Sequence, residues 1–243
     1  MGDGDARVIM LAGATGLVGS RTLGVLLEAN DVSRVVAVTR RPLGREHSRL
    51  ANRIVQFEKI ETQLKGTTCD AALCCLGTTR RQAGSPERFR AVDVDAVTAF
   101  ARVAQAGGAK RFVVISSVGA DPRARNFYLR TKGEMEEELE SLAFESLDIL
   151  QPSFLMGSRA EMRPLELLAL VFMPLVNPLL GGKYAVYRAI SARTVAAAML
   201  GAVRSGRRGV NRYTWPGIQQ LARITSARAR APAQPPKASA RAR

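Results

Sequence analysis

The chain has 243 residues, of which 47% are hydrophobic and 23% charged, with a formal net charge of +15. That length suits one large α/β domain, and the composition is that of a globular protein. No run of eighteen uninterrupted apolar residues occurs, which argues against a transmembrane helix. Three cysteines without a CxxC pair and a single histidine, His47, argue against a disulfide framework and a metal site.

The opening residues, MGDGDAR, are acidic and polar, unlike a signal peptide. The first predicted strand, Arg7–Ala12, runs directly into GATGLVG, with Gly13, Gly16 and Gly19 three residues apart. Glycines between a strand and a helix suit a phosphate-binding turn. One permits the tight turn, another lets the backbone approach a pyrophosphate, and a third allows close helix–strand packing. The helix N-terminus then offers free N–H groups and partial positive charge. A second strand, Arg34–Thr39, ends in TRRP, where Arg40 and Arg41 stand in the region that carries a carboxylate in NAD-preferring sites. Two guanidiniums there suit a 2′-phosphate, so the expected cofactor is NADP(H).

Further strands are predicted at Arg53–Phe57, Ala71–Leu76, Arg111–Ser116 and Leu147–Gln151, with a short one at Asn211–Trp215. Runs such as AALCCL and FVVI suit strands covered on both faces. Cys69, Cys74 and Cys75 read as small buried hydrophobes in a reducing compartment, the cytoplasm. Ser85, Pro86 and Glu87 give a helix start signal. The stripe Phe89, Val92, Ala96, Phe100 and Val103 follows at helical spacing. The fold class is α/β, a doubly wound parallel sheet in a single domain over residues 1–225. Residues 151–215 form an irregular substrate pocket and lid.

Ser116 and Ser117 end a strand, and Asn126 is a plausible cap for a helix from Phe127 to Leu142. Tyr128, Lys132, Met135, Leu139 and Leu142 lie on one face of that helix, and the opposite face is rich in glutamate. An inward ammonium one turn from a phenol lowers the phenol's pKa. Tyr128 can then give a proton to a carbonyl oxygen, while Lys132 holds ribose hydroxyls. A serine hydroxyl, Ser117 with Ser116 as fallback, stabilises the developing negative charge.

The stretch from Leu165 to Leu180 is strongly apolar but holds Glu166, Pro174, Asn177 and Pro178. It reads as a buried or pocket-lining helix pair, with an interfacial membrane contact as the alternative. The greasy segment Met156 to Leu180 favours an apolar carbonyl or quinone-like ligand. Ten Lys/Arg and no acid fall between Gly201 and Arg243, two thirds of the excess charge. Residues 226–243 read as a disordered basic tail, with general attraction to polyanions and no specific nucleic-acid recognition.

The order of glycine turn, Ser-Ser and Tyr-x-x-x-Lys resembles the short-chain dehydrogenase/reductase superfamily. CCLGTTRRQAGSPERFRAVDVD, ISSVGADPRARNFYLRTKGEMEEEL, QPSFLMGSR and PLLGGKY are similar to its Tat-interacting-protein oxidoreductase-like group, an atypical branch. The resemblance spans Val8 to Ala222. It implies that Gly13, Thr15, Gly16, Leu17 and Val18 contact the pyrophosphate, and Arg40 and Arg41 the adenosine phosphate. Leu76, Gly77 and Thr78 pass beside the cofactor, and Pro152 and Ser153 lie against the nicotinamide carboxamide. Ser117, Tyr128 and Lys132 match the catalytic trio. Asp93 stands where many superfamily enzymes carry an asparagine that supports a proton relay. Some members of the group are regulators. The expected function is therefore an NADPH-dependent reductase, monomeric or homodimeric, and the alternative is an NADP(H)-binding redox sensor with a protein partner.

Overall fold

In the computed structural model, which describes residues 6–156 and 182–230, the apolar runs become strands, the central ones covered on both faces. These are β1 (Arg7–Ala12), β2 (Val32–Thr39), β3 (Leu50–Ile54), β4 (Ala71–Cys74), β5 (Arg111–Ile115) and β6 (Ser146–Leu150). A short parallel pair, β7 (Leu155–Met156) and β8 (Ile190–Ser191), stands apart from the main sheet, and β9 (Gly209–Tyr213) closes its edge. The main sheet is parallel throughout, in the order β3-β2-β1-β4-β5-β6-β9. The chain leaves β1 towards β2 and β3, then returns to β4 on the other side. That reversal opens a crevice above the carboxyl ends of β1 and β4.

Alternation along the strands decides which helices they meet. Ile9, Leu11, Val35, Ala37 and Leu73 face one core with α1 (Gly19–Glu28) and two late helices, α7 (Ala192–Arg204) and α8 (Trp215–Arg230). Met10, Ala12, Val36, Val38, Ala72 and Val114 face the other. That side holds α2 (Ile60–Gln63), α5 (Ala96–Ala106) and α6 (Phe127–Ser141), with Val97, Phe100, Met135 and Leu139 buried. Two short helices, α3 (Arg80–Ala83) and α4 (Pro86–Arg90), precede α5. Ser85 caps α4 through its hydroxyl, which accepts the Arg88 N–H at 3.2 Å, with Pro86 in the first turn. Among the described residues no helix is long and apolar enough to cross a membrane.

The strand near residue 53 lies earlier than its apolar letters suggest. Ile54 is an exposed end of an edge strand, and Phe57 already begins a 3₁₀ turn. The last strand sits two residues before its predicted position, because Trp215 and Pro216 open α8. The proposed tail is corrected more strongly. Residues 226–230 continue α8, whose Ile218, Leu221, Ala222 and Thr225 are buried against the core. Arg228 reaches Asp31 at 3.4 Å. Alanine and arginine are strong helix formers, so an apolar stripe earlier in the helix carries it through a segment without apolar periodicity. Residues 231–243, the Leu165–Leu180 stretch and the lid beyond Met156 lie outside the described residues.

Candidate active site

The three glycines divide their roles. Gly13 has φ +79°, and a Cβ there would lie 2.4 Å from the Cys75 carbonyl oxygen. A Cβ on Gly19 would lie 2.0 Å from the Gly13 oxygen. Both are glycine because backbone occupies the space. At Gly16 the nearest atom is 3.4 Å away and the rest is open, so this is the position with room beside it. The Gly16 N–H donates to Gly13 O at 3.0 Å, while nothing among the described residues accepts the N–H of Leu17 or Val18. α1 begins with no side-chain cap and no acid in its first turn. Its free N–H groups and positive end are therefore uncompensated beside exposed Thr15, an arrangement that fits a pyrophosphate.

Arg40 and Arg41 are exposed at the carboxyl end of β2 and form no ion pair among the described residues. Leu76, Gly77 and Thr78 leave β4 on the same edge. A Cβ on Gly77 would stand 3.5 Å from Asp93 Oδ1 and 4.0 Å from Lys132 Nζ, so this backbone overlies a buried ion pair.

That pair is the centre of the site. Lys132 Nζ lies 2.7 Å from Asp93 Oδ1, and Asp93 Oδ2 accepts the Thr78 N–H at 2.8 Å. Lys132 is 5% exposed and Asp93 0%. Asp93 is carried inward by a π turn, Ala91–Asp95, between α4 and α5, a bulge that is frequent at functional sites. Asn126 starts α6 by accepting the N–H groups of Tyr128 and Leu129 at 2.9 and 3.2 Å, which fixes Tyr128 one turn before Lys132. The Tyr128 ring meets buried Phe89 edge-on, with centroids 5.9 Å apart. Burial pulls the Lys132 ammonium down, but the Asp93 carboxylate and the neighbouring Tyr128 outweigh it. The net pKa lies above the ordinary lysine value, so the ammonium stays charged.

The two serines differ. Ser116 donates to Glu136, whereas the Ser117 hydroxyl makes only a long 3.4 Å contact with Val118 O. Pro152 O accepts the Val118 N–H at 3.2 Å, which sets the ends of β5 and β6 side by side. The Ser153 hydroxyl is turned to Arg188 O at 2.7 Å, leaving its oxygen lone pairs as its remaining capacity.

Glu136 is a buried residue that the helix-face pattern did not single out. It is 3% exposed, although it stands in a glutamate-rich stretch. Besides the Ser116 hydroxyl it accepts Gln151 Nε2 at 2.9 Å and Arg212 Nε at 2.9 Å. One carboxylate thus ties α6 to the ends of β5 and β6 and to β9. The signal was its spacing: Tyr128, Lys132, Glu136 and Glu140 recur every four residues. Burial pushes the Cys69 and Cys74 thiols up to about 12, as inert small core residues. No group of metal-ligating side chains gathers among the described residues. A cavity of about 360 Å³ between α2 and the end of α5, lined by Glu61, Thr67 and Arg102, opens at the opposite edge of the sheet from these residues.

A family model for NAD(P)H-binding matches residues 13–163. The protein HTATIP2 of Rattus norvegicus is 39% identical over 170 residues, covering 68% of this chain and 70% of that protein. The mitochondrial protein fmp52 of Aspergillus niger is 34% identical over 181 residues, covering 72% and 77%. Among solved structures, Bordetella bronchiseptica WbmH in complex with NAD+ superposes with a TM-score of 0.63 at 15% identity, covering 89% of this chain and 79% of that one. A UDP-N-acetylglucosamine 4-epimerase from Methanobrevibacter ruminantium gives 0.64 at 17% identity, covering 92% and 82%. At those identities the structures share the fold.

Proposed function

This chain belongs to the NAD(P)H-binding family, and on that premise we propose that it is an NADPH-dependent oxidoreductase acting on an apolar carbonyl or quinone-like compound. The observation that carries the proposal is a buried, charged Lys132 one turn from Tyr128, on the edge that holds the glycine turn and Ser117. Gly16 and the free N–H groups of Leu17 and Val18 would hold the pyrophosphate, and Arg40 and Arg41 the 2′-phosphate. Pro152 and Ser153 would border the nicotinamide. When bound, the dinucleotide supplies a hydride.

The protein's own residues handle the proton and the charge. The Tyr128 hydroxyl, which has no hydrogen-bond partner among the described residues, is free to donate a proton to the substrate oxygen. Ser117 is the serine with an uncommitted hydroxyl, so it donates the hydrogen bond to that oxygen, while Ser116 is occupied by Glu136. Lys132 keeps its ammonium beside the phenol because Asp93 holds it charged.

Asp93 also favours a second reading, an NADP(H)-binding sensor with little turnover. In that reading the carboxylate retains the ammonium and takes the asparagine's place without serving the relay. Fluorescence titration with NADPH and NADH, followed by a carbonyl and quinone panel, separates the two. The reductase predicts NADPH oxidation that falls by about 100-fold or more in Tyr128→Phe with NADPH binding intact. Tight NADPH binding with no turnover across the panel selects the sensor. We place the protein in the cytoplasm on its free thiols. The Aspergillus relative is named as mitochondrial, and fractionation of the source cells decides between the two compartments.

A further inference from the structure

The loop that bears Arg40 and Arg41 is held from outside. Asn52 lies on β3, opposite Ala37 of β2. Its side-chain oxygen accepts the Leu43 N–H at 3.0 Å. Its nitrogen donates to Ala37 O at 3.1 Å and to Thr39 Oγ1 at 2.7 Å. The Thr39 hydroxyl in turn donates to Arg41 O at 2.8 Å. The carboxamide and the Thr39 hydroxyl together thus join the carboxyl end of β2 to Arg41 and Leu43 of the loop. Pro42 stiffens that segment further, since it fixes its own φ and biases Arg41 to extended backbone.

This use of an edge strand is unusual. Asparagine is depleted in strands, and here it stands half-buried on one. The arginines are exposed and have no ion pair among the described residues to hold them, so their placement depends on the loop backbone. Two guanidiniums recognise a phosphate well only when both reach it together, because ordering two long side chains on a loose loop costs entropy.

We infer that Asn52, acting through Thr39, is a positioning residue for recognition of the 2′-phosphate: it pre-sets the Arg40–Arg41 loop and so determines preference for NADPH over NADH. The inference rests on the proposed NADPH reading. It concerns a residue that touches neither nucleotide nor substrate in that reading.

The test is the ratio of NADPH to NADH dissociation constants, measured by fluorescence titration on the full chain without any turnover. Asn52→Ala is expected to weaken NADPH binding about tenfold, the scale of a loosened charge-assisted contact, and NADH binding less than about twofold. Thr39→Val keeps the buried volume and removes the shared hydroxyl. It is expected to shift the ratio in the same direction, and it carries the test if Asn52→Ala does not fold. The double variant is expected to shift the ratio no further than Asn52→Ala alone, since both act through one link. A merely structural role would lower both affinities together and leave the ratio in place. The double replacement Arg40→Ala/Arg41→Ala is the control. If it collapses the ratio and Asn52→Ala and Thr39→Val do not, the inference is overturned and the NADPH reading stands. If the arginine variant itself keeps the ratio, the NADPH reading falls and the inference with it.

Discussion

Replacing Asp93 by asparagine tests the centre of the site. In the native protein a 5% exposed lysine is held 2.7 Å from a fully buried carboxylate. Asparagine keeps an oxygen for Lys132 but removes the charge, and its other atom cannot accept the Thr78 N–H. Breaking a buried pair by losing one partner costs about 3–5 kcal/mol, because the remaining charge is uncompensated. Retention of one oxygen puts the expected loss near the lower end, about 3 kcal/mol at pH 7, or a fall in Tm of about 6–12 °C for a chain of this size. The pH dependence gives the sign. In the native protein the folded pKa of Lys132 lies above the ordinary value of 10.5. That stabilisation is complete below the unfolded pKa and is lost only as pH rises through the folded one. In Asp93→Asn, burial dominates and depresses the pKa, so the unfolded chain binds the proton more tightly and the variant gains stability as pH rises towards 10.5. The deficit measured by urea unfolding should therefore narrow between about pH 8 and pH 10. A loss under about 1 kcal/mol at pH 7, or a deficit that is flat with pH, would refute the buried charged pair.

Gly19→Ala should lose about 3 kcal/mol in urea unfolding, because its Cβ meets the Gly13 carbonyl, while Gly16→Ala should fold normally and weaken NADPH binding; the opposite order would remove the division of roles. Glu136→Ala strands the Ser116 hydroxyl and the Gln151 amide, and should cost about 2–4 kcal/mol, with Glu136→Gln recovering part of it; a loss below about 0.5 kcal/mol would show that the network does not bind the strand ends. Asp148 is buried on β6, and burial raises its pKa despite hydrogen bonds from Ser146 and Tyr213. A raised folded pKa means that stability is lost as pH rises through it, so Asp148→Asn should be at least as stable as the native protein at pH 7, with its relative advantage growing from pH 4 to pH 7. Unfolding curves at those pH values that show a shrinking advantage would contradict the sign.

Local signals were legible wherever a residue type answers to its immediate neighbours. Apolar runs gave the strands, Ser85 and Asn126 gave helix starts that the hydrogen bonds match, and GATGLVG gave the turn between β1 and α1. The helix from Phe127 was read to within one residue, so the positions of Tyr128 and Lys132 on it followed from its cap. The edge strand β3 was misplaced because one exposed face removes the continuous apolar run that marks a covered strand.

The charged and polar partnerships came only with the tertiary structure. Asp93 and Lys132 are far apart in the chain and meet because a π turn rotates one inward while α6 buries the other. Glu136 stands in a glutamate-rich stretch, yet its helix packs on strand ends that supply Ser116, Gln151 and Arg212. Asn52 falls just outside the strand predicted from Arg53, and its hold on the loop after β2 is seen only in the folded chain. Sequence by itself determined most of the elements and which residue types stand on them, since propensity and periodicity act over a few residues. Which polar group meets which was decided by packing, because burial makes a charge or an amide depend on partners that only the folded chain brings within hydrogen-bonding distance.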